Sequence, residues 1–149
     1  MLSLFDHSGY FVRPWLARGF HAWLVDIKFP PGINLEEPGI FKVGADLRFG
    51  FNLDIDNVVF VAAFPPCTHT AVSGARHFMK KGPRAMAESL DLFATAQEAA
   101  EHFKARYFIE NPVSMFSSYI RKPDYIFHPY EYGGYLPEND EHPDCQYLN

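Results

Sequence analysis

The sequence predicts an α/β domain built on a mostly parallel, doubly wound sheet, and three observations carry that prediction. Short apolar runs recur with turn residues between them, one long stretch has helical periodicity, and the apolar runs end in acids or a thiol. Strands that alternate with helices through short connections form parallel sheets. Such sheets gather ligands at the carboxyl ends of their strands.

The opening Met1-Leu2-Ser3-Leu4-Phe5 reads as a short buried strand, stopped by Asp6-His7-Ser8-Gly9. Phe11 to Arg18 reads as a helical turn or two, with Gly19 where a helix-terminating glycine belongs. His21 to Ile27 is a second apolar strand carrying Asp26 near its end, and a Pro/Gly loop follows through Gly32. A third strand runs from Ile40 to Ala45 and ends at Asp46. Val58 to Ala63 is an uninterrupted apolar run suited to the centre of a sheet, stopping at Phe64-Pro65-Pro66-Cys67. Arg84 to Lys104 is the longest predicted helix, with Met86, Leu90, Phe93, Ala96, Ala100 and Phe103 on one face. Arg106 to Ile109 is a fifth strand, ending at Glu110. From Pro123 onward Tyr, Pro, Gly and acids follow without periodicity, giving a core over 1–122 and an extended aromatic tail over 123–149.

Bulk composition sets limits on these readings. A chain of 149 residues, 48% of them apolar, can bury one sizeable core but is short for two. The formal charge of −5 supplies no global attraction for nucleic acid, so such a contact needs a local basic patch or a partner's charges. Arg76-His77-Phe78-Met79-Lys80-Lys81 is one such patch, able to hold phosphates or simply to be solvated. Cys67 and Cys145 are too few for a disulfide scaffold, and no signal-peptide pattern precedes the first apolar run, which fits a reducing cytoplasm. No run approaches the length of a membrane span. His69, His142 and Cys145 have no zinc-module spacing, so no metal is expected.

The candidate chemistry lies at the predicted strand ends. Asp6-His7-Ser8-Gly9 falls between a strand and a helix, where backbone N–H groups can hold a polar or anionic group. Asp26 stands where a carboxylate accepts from both ribose hydroxyls of an adenosine-type ligand, and Asp46 where one receives a base amino group. Each of these acids also reads as a loop acid or a cap. In Pro65-Pro66-Cys67-Thr68, two prolines stiffen the exit from a central strand and leave a thiol on a fixed loop. Thiolates are intrinsically nucleophilic, whereas a free cysteine is also commonly a buried apolar filler. Glu110-Asn111-Pro112 projects a carboxyl from the neighbouring strand. A buried carboxyl can donate a proton to a ring nitrogen and make that ring a better electrophile.

In order and spacing these segments resemble the cytosine-C5 DNA methyltransferase family, especially its compact phage-type members. The resemblance covers Leu4 to about Pro112. Leu4-Phe5-Asp6-His7-Ser8-Gly9 resembles the family's S-adenosylmethionine loop, Asp26-Ile27 its ribose contact and Gly44-Ala45-Asp46-Leu47 its adenine segment. Pro65-Pro66-Cys67 resembles the nucleophile motif and Glu110-Asn111 the glutamate-asparagine motif. The resemblance implies a Rossmann-like methyltransferase domain whose sheet stops after the fifth strand, Cys67 and Glu110 as catalytic residues, and S-adenosylmethionine as cofactor with S-adenosylhomocysteine as product. It places Phe5, Asp6, His7, Ser8, Gly9, Asp26, Ile27, Asp46, Leu47 and Pro66 at the cofactor. Pro65, Asn111 and Arg76 would lie at a flipped cytosine and its DNA. Aromatics commonly follow Pro-Pro in enzymes that methylate exocyclic amines, so Cys67 favours carbon methylation.

The family's Gln-x-Arg-x-Arg segment, target-recognition region and closing strands have no counterpart downstream. A truncated gene or fragment is therefore one expectation, and a second polypeptide supplying target recognition is an alternative to it. A binding protein that keeps the fold without the activity is another, and methylation of a free nucleotide is a further one.

Overall fold

The computed structural model describes residues 1–50 and 53–128. The chain divides into two compact units, Met1–Met115 and Phe116–Asn149. In the first, five strands form one sheet in the order β3-β2-β1-β4-β5: β1 Leu2–Leu4, β2 Ala22–Glu37, β3 Ile40–Gly44, β4 Phe60–Ala63 and β5 Arg106–Ile109. The ladders joining them are parallel, so the fold is the expected α/β arrangement. Of the second unit, residues 116–128 are described and carry one short helix, α3 Phe116–Tyr119. Most of the anticipated tail lies outside the described residues.

Apolar alternation explains why both faces of the sheet are buried. Leu2, Leu4, Val25, Val43, Val61 and Ala63 face one side and pack with Leu92, Ala96, Ala99 and Ala100 of α2 Phe78–Phe103. Ala22, Leu24, Ile40 and Ala62 face the other. Among the described residues the second face carries no long helix: the connection between β1 and β2 holds only α1, Arg13–Leu16. An aromatic cluster covers it instead. Trp15 stacks on Phe60 at 5.0 Å between centroids, and Phe11 meets Phe108 at 5.1 Å and Phe64 at 5.5 Å, edge to face. Such geometries add to the area these rings bury.

The connection from β2 to β3 corrects the expected Pro/Gly loop. Over Ala22–Asp26 the β3 partners ascend from Ile40 to Gly44, whereas from Pro31 to Glu37 they descend from Gly44 back to Ile40. Val43 thus pairs with both Val25 and Ile33, and a strand residue has two partners only when each occupies a different edge. Past Asp26 the chain of β2 crosses the end of β3 and returns, antiparallel to it, along its outer edge. At that crossing a Cβ on Gly44 would collide with the carbonyl oxygens of Phe29 and Pro30. Glycine is required there by close backbone approach, not by its dihedrals.

The long helix begins earlier than periodicity predicts. α2 spans Phe78–Phe103 and is broken at Gly82, whose φ of 75° and ψ of 174° are not helical. Pro83 then opens the second segment, a position that suits its missing N–H. Lys104 closes the helix in the left-handed conformation.

Candidate active site

Because the strands are parallel, the residues that follow them share one edge of the sheet. Asp6 lies just beyond β1, Asp26 ends the parallel run of β2, Asp46 follows β3, Cys67 follows β4 and Glu110 follows β5. Three backbone hydrogen bonds stitch this rim: Glu110 N donates to Ala63 O at 2.9 Å, Phe64 N to Leu4 O at 3.1 Å, and Phe5 N to Val25 O at 2.8 Å. Phe5 holds a φ of 58°, a left-handed conformation unusual for an aromatic residue. Such strain persists only where neighbours enforce it, and it recurs at functional sites.

The Asp6 loop is internally satisfied. Its buried carboxylate accepts from Ser3 Oγ at 2.8 Å, Ser8 Oγ at 3.0 Å and Gly9 N at 2.8 Å. Asp6 therefore shapes the loop, leaving backbone and the exposed His7 and Ser8 facing outward. His7 stacks on Phe29 with centroids 5.1 Å apart. Gly9, at φ 67°, is buried against Leu24. Asp26 accepts from Lys28 N through Oδ1 at 2.8 Å. The neighbouring Ile27 side chain is 60% exposed.

Asp46 is engaged more heavily. It caps a 3-10 turn, Leu47–Phe49, by accepting from Arg48 N at 3.0 Å. The Arg48 guanidinium forks onto the same carboxylate, with Nε 3.0 Å from Oδ1 and Nη2 2.6 Å from Oδ2. This hydrogen bonding holds the Asp46 carboxyl below its ordinary range. Arg48 Nη1 also reaches Glu88 Oε1 of α2 at 3.3 Å. Leu47 is buried in the core, so its side chain supports the rim from below.

Cys67 is half-buried on a single turn following the buried Pro65 and the exposed Pro66. Its carbonyl accepts from Thr70 N at 3.0 Å and Ala71 N at 2.9 Å. The turn is tied to the loop after β5: Ala71 and Ser114 form an antiparallel bridge, and Val72 N donates to Val113 O at 2.9 Å. The segments bearing Cys67 and Glu110 are thus joined both at the strand ends and farther along their loops. Burial pushes the Glu110 carboxyl above its usual range, because desolvation disfavours the charged form. Beside it, both side-chain polar atoms of Asn111 are buried without a partner among the described residues, as is Nδ1 of His69.

Neither a protein-family model, nor a curated protein, nor a solved structure matches this chain. The site must speak through its own geometry.

Arg76 follows the Cys67 turn in the chain. It lies exposed in the 3-10 turn Val72–His77, with Nε donating to His77 Nε2 at 3.0 Å. A cleft of about 330 Å³ between Gly50 and Leu53 and the second half of α2 contains none of the anticipated site residues. Among the described residues no group of three or more His, Cys, Asp or Glu is placed to hold a metal ion, and no helix is long and apolar enough to cross a membrane. Sequence reading missed Arg48 and Ser89, which hold rim residues in place, and read Lys81 only as part of a basic patch. Ser89 left a signal, as a hydroxyl within the apolar stripe of α2.

Proposed function

We propose that this chain carries the catalytic core of a cytosine-C5 DNA methyltransferase. One observation carries the reading: a half-buried thiol and a carboxyl whose proton is favoured by burial follow adjacent strands, on loops fastened to each other. A nucleophile and an acid able to give up a proton, held on neighbouring loops, are what addition to an electron-poor ring requires. The unpartnered Asn111 amide supports the same reading, since it offers a donor and an acceptor, as does the edge of a cytosine.

In this mechanism the Cys67 thiolate forms a bond from sulfur to C6 of a cytosine extruded from its stack. The C5–C6 π electrons are driven toward C5 as Glu110 gives its proton to N3. S-adenosylmethionine, when bound, supplies the methyl group that C5 takes up. Solvent then removes the C5 proton, the C6–S bond breaks to restore the thiolate, and N3 returns its proton to Glu110. The rim fits the ribose of such a cofactor, because among the described residues Asp26 Oδ1 is engaged by a local amide alone. It fits the adenine amino group less directly, because Arg48 occupies the Asp46 carboxylate.

That occupied carboxylate favours the second reading, a binding protein that keeps the fold without the activity. Transfer of labelled methyl from S-adenosylmethionine, assayed on duplex DNA and on free deoxycytidine monophosphate, tests the two. Label in DNA that Cys67→Ser abolishes supports the enzyme. Label confined to the nucleotide moves the activity to a small substrate. No transfer to either, with or without a candidate partner chain, sinks the enzymatic reading.

A further inference from the structure

Three consecutive carbonyls bracket the thiol, and each has a donor. Ser89 Oγ, buried in α2, lies 3.4 Å from Pro66 O. Cys67 O is held within its own turn. Lys81 Nζ lies 2.6 Å from Thr68 O. The two donors from outside the turn both belong to α2 but stand on opposite sides of its break at Gly82. The break thus lets one helix grip the residues before and after Cys67 from two directions. The grips differ: the Lys81 bond is short and charge-assisted but exposed to solvent, whereas the Ser89 bond is partly buried and at the limit of hydrogen-bond distance.

We propose that Lys81 is a positioning residue for Cys67, distinct in role from the other cations of its segment. Arg76, Lys80 and Arg84 are exposed, whereas Lys81 is half-buried with its ammonium on a backbone carbonyl. Lys81 fixes where the thiol stands, and the other cations are the exposed ones that can meet phosphates. This division of labour rests on the nucleic-acid reading above; the anchoring of Cys67 does not.

The test has two arms on the full chain. In the first, iodoacetamide alkylation is timed and mapped by peptide mass to separate Cys67 from Cys145. Lys81→Met keeps the aliphatic stem and removes the donor. It is expected to speed Cys67 alkylation about two- to five-fold, as the loss of one exposed charge-assisted bond implies. Lys81→Arg, which can still donate, should react near the wild-type rate, and Ser89→Ala should give a smaller increase than Lys81→Met. Thermal melts accompany each variant. A folded Lys81→Met protein that reacts at the wild-type rate overturns the proposal, and so does a larger effect from Ser89→Ala.

In the second arm, affinity for a duplex is measured against salt. Arg76→Ala or Lys80→Ala should each lower the slope by about one, while Lys81→Met leaves it unchanged. A slope reduced equally by Lys81→Met makes Lys81 a phosphate contact and overturns the assignment. If the wild type binds no duplex, the DNA reading fails, and the alkylation rates alone decide the role of Lys81.

Discussion

The amide of Glu110 donates to the carbonyl of Ala63 at 2.9 Å, so the acid's backbone stands directly after the last paired residue of β5, beside the end of the strand that leads to Cys67. This backbone bond fixes the acid relative to the nucleophile's strand. The side chain's environment then sets its proton affinity.

Glu110 binds its proton more tightly when folded than when unfolded. Between the unfolded carboxyl range near pH 4.3 and the raised folded value, the native state therefore holds more protons, and stability falls as pH rises through that window. Glu110→Gln removes the titration. Relative to wild type it should melt higher at neutral pH and lose that advantage near pH 4, as read by thermal melts across pH. An advantage that grows on acidification would contradict the assignment.

Asn111 should show stability traded for function. Its buried amide has no partner among the described residues, and burying such a group unpaired costs roughly 1–3 kcal/mol. Asn111→Leu is expected to stabilise the fold by about 1 kcal/mol in urea titration and to abolish capture of cytosine. Destabilisation with activity retained would show that the amide is structural.

Arg48 competes with any ligand for Asp46. Calorimetry with S-adenosylhomocysteine should show several-fold tighter binding by Arg48→Ala than by wild type, because the carboxylate is released. The gain is small because exposed ion pairs contribute only about 0–1 kcal/mol. Weaker binding would mean that the guanidinium itself meets the ligand.

Gly44 lies under the chain that crosses β3. Gly44→Ala places a methyl group against the carbonyls of Phe29 and Pro30. Backbone cannot yield as a side-chain tip can, so a loss of about 1–3 kcal/mol or more is expected in denaturant unfolding. A neutral result would show that the crossing segment moves freely.

The parallel strands and their rim were legible because buried strands write themselves as apolar runs, and Arg106–Ile109 stands where the sequence places it. The return segment Pro31–Glu37 was not. Pro30-Pro31-Gly32 carries loop chemistry, and Ile33 and Leu35 remain exposed on the outer edge, so no burial pattern marks them as strand. Gly82-Pro83 did mark a break, but helical periodicity beyond it hid the short segment before it. The pairing of Lys81 with Thr68 joins a side chain to a carbonyl that only the fold brings near, whereas Arg48 meets Asp46 two residues away, within a turn that no apolar pattern marks. The orphaned Asn111 amide likewise depends on tertiary burial, which no local pattern records.

The central claim, that Cys67 adds to cytosine while Glu110 assists, is tested most directly by covalent trapping. Duplex DNA containing 5-fluorocytosine is incubated with the full chain and S-adenosylmethionine, and the digest is mapped by mass. Fluorine at C5 prevents the final proton loss, so the enzyme stays attached through sulfur. The account predicts an adduct on the Cys67 peptide, absent in Cys67→Ser and strongly reduced in Glu110→Gln. A folded protein that binds S-adenosylhomocysteine yet leaves Cys67 unmodified would contradict it.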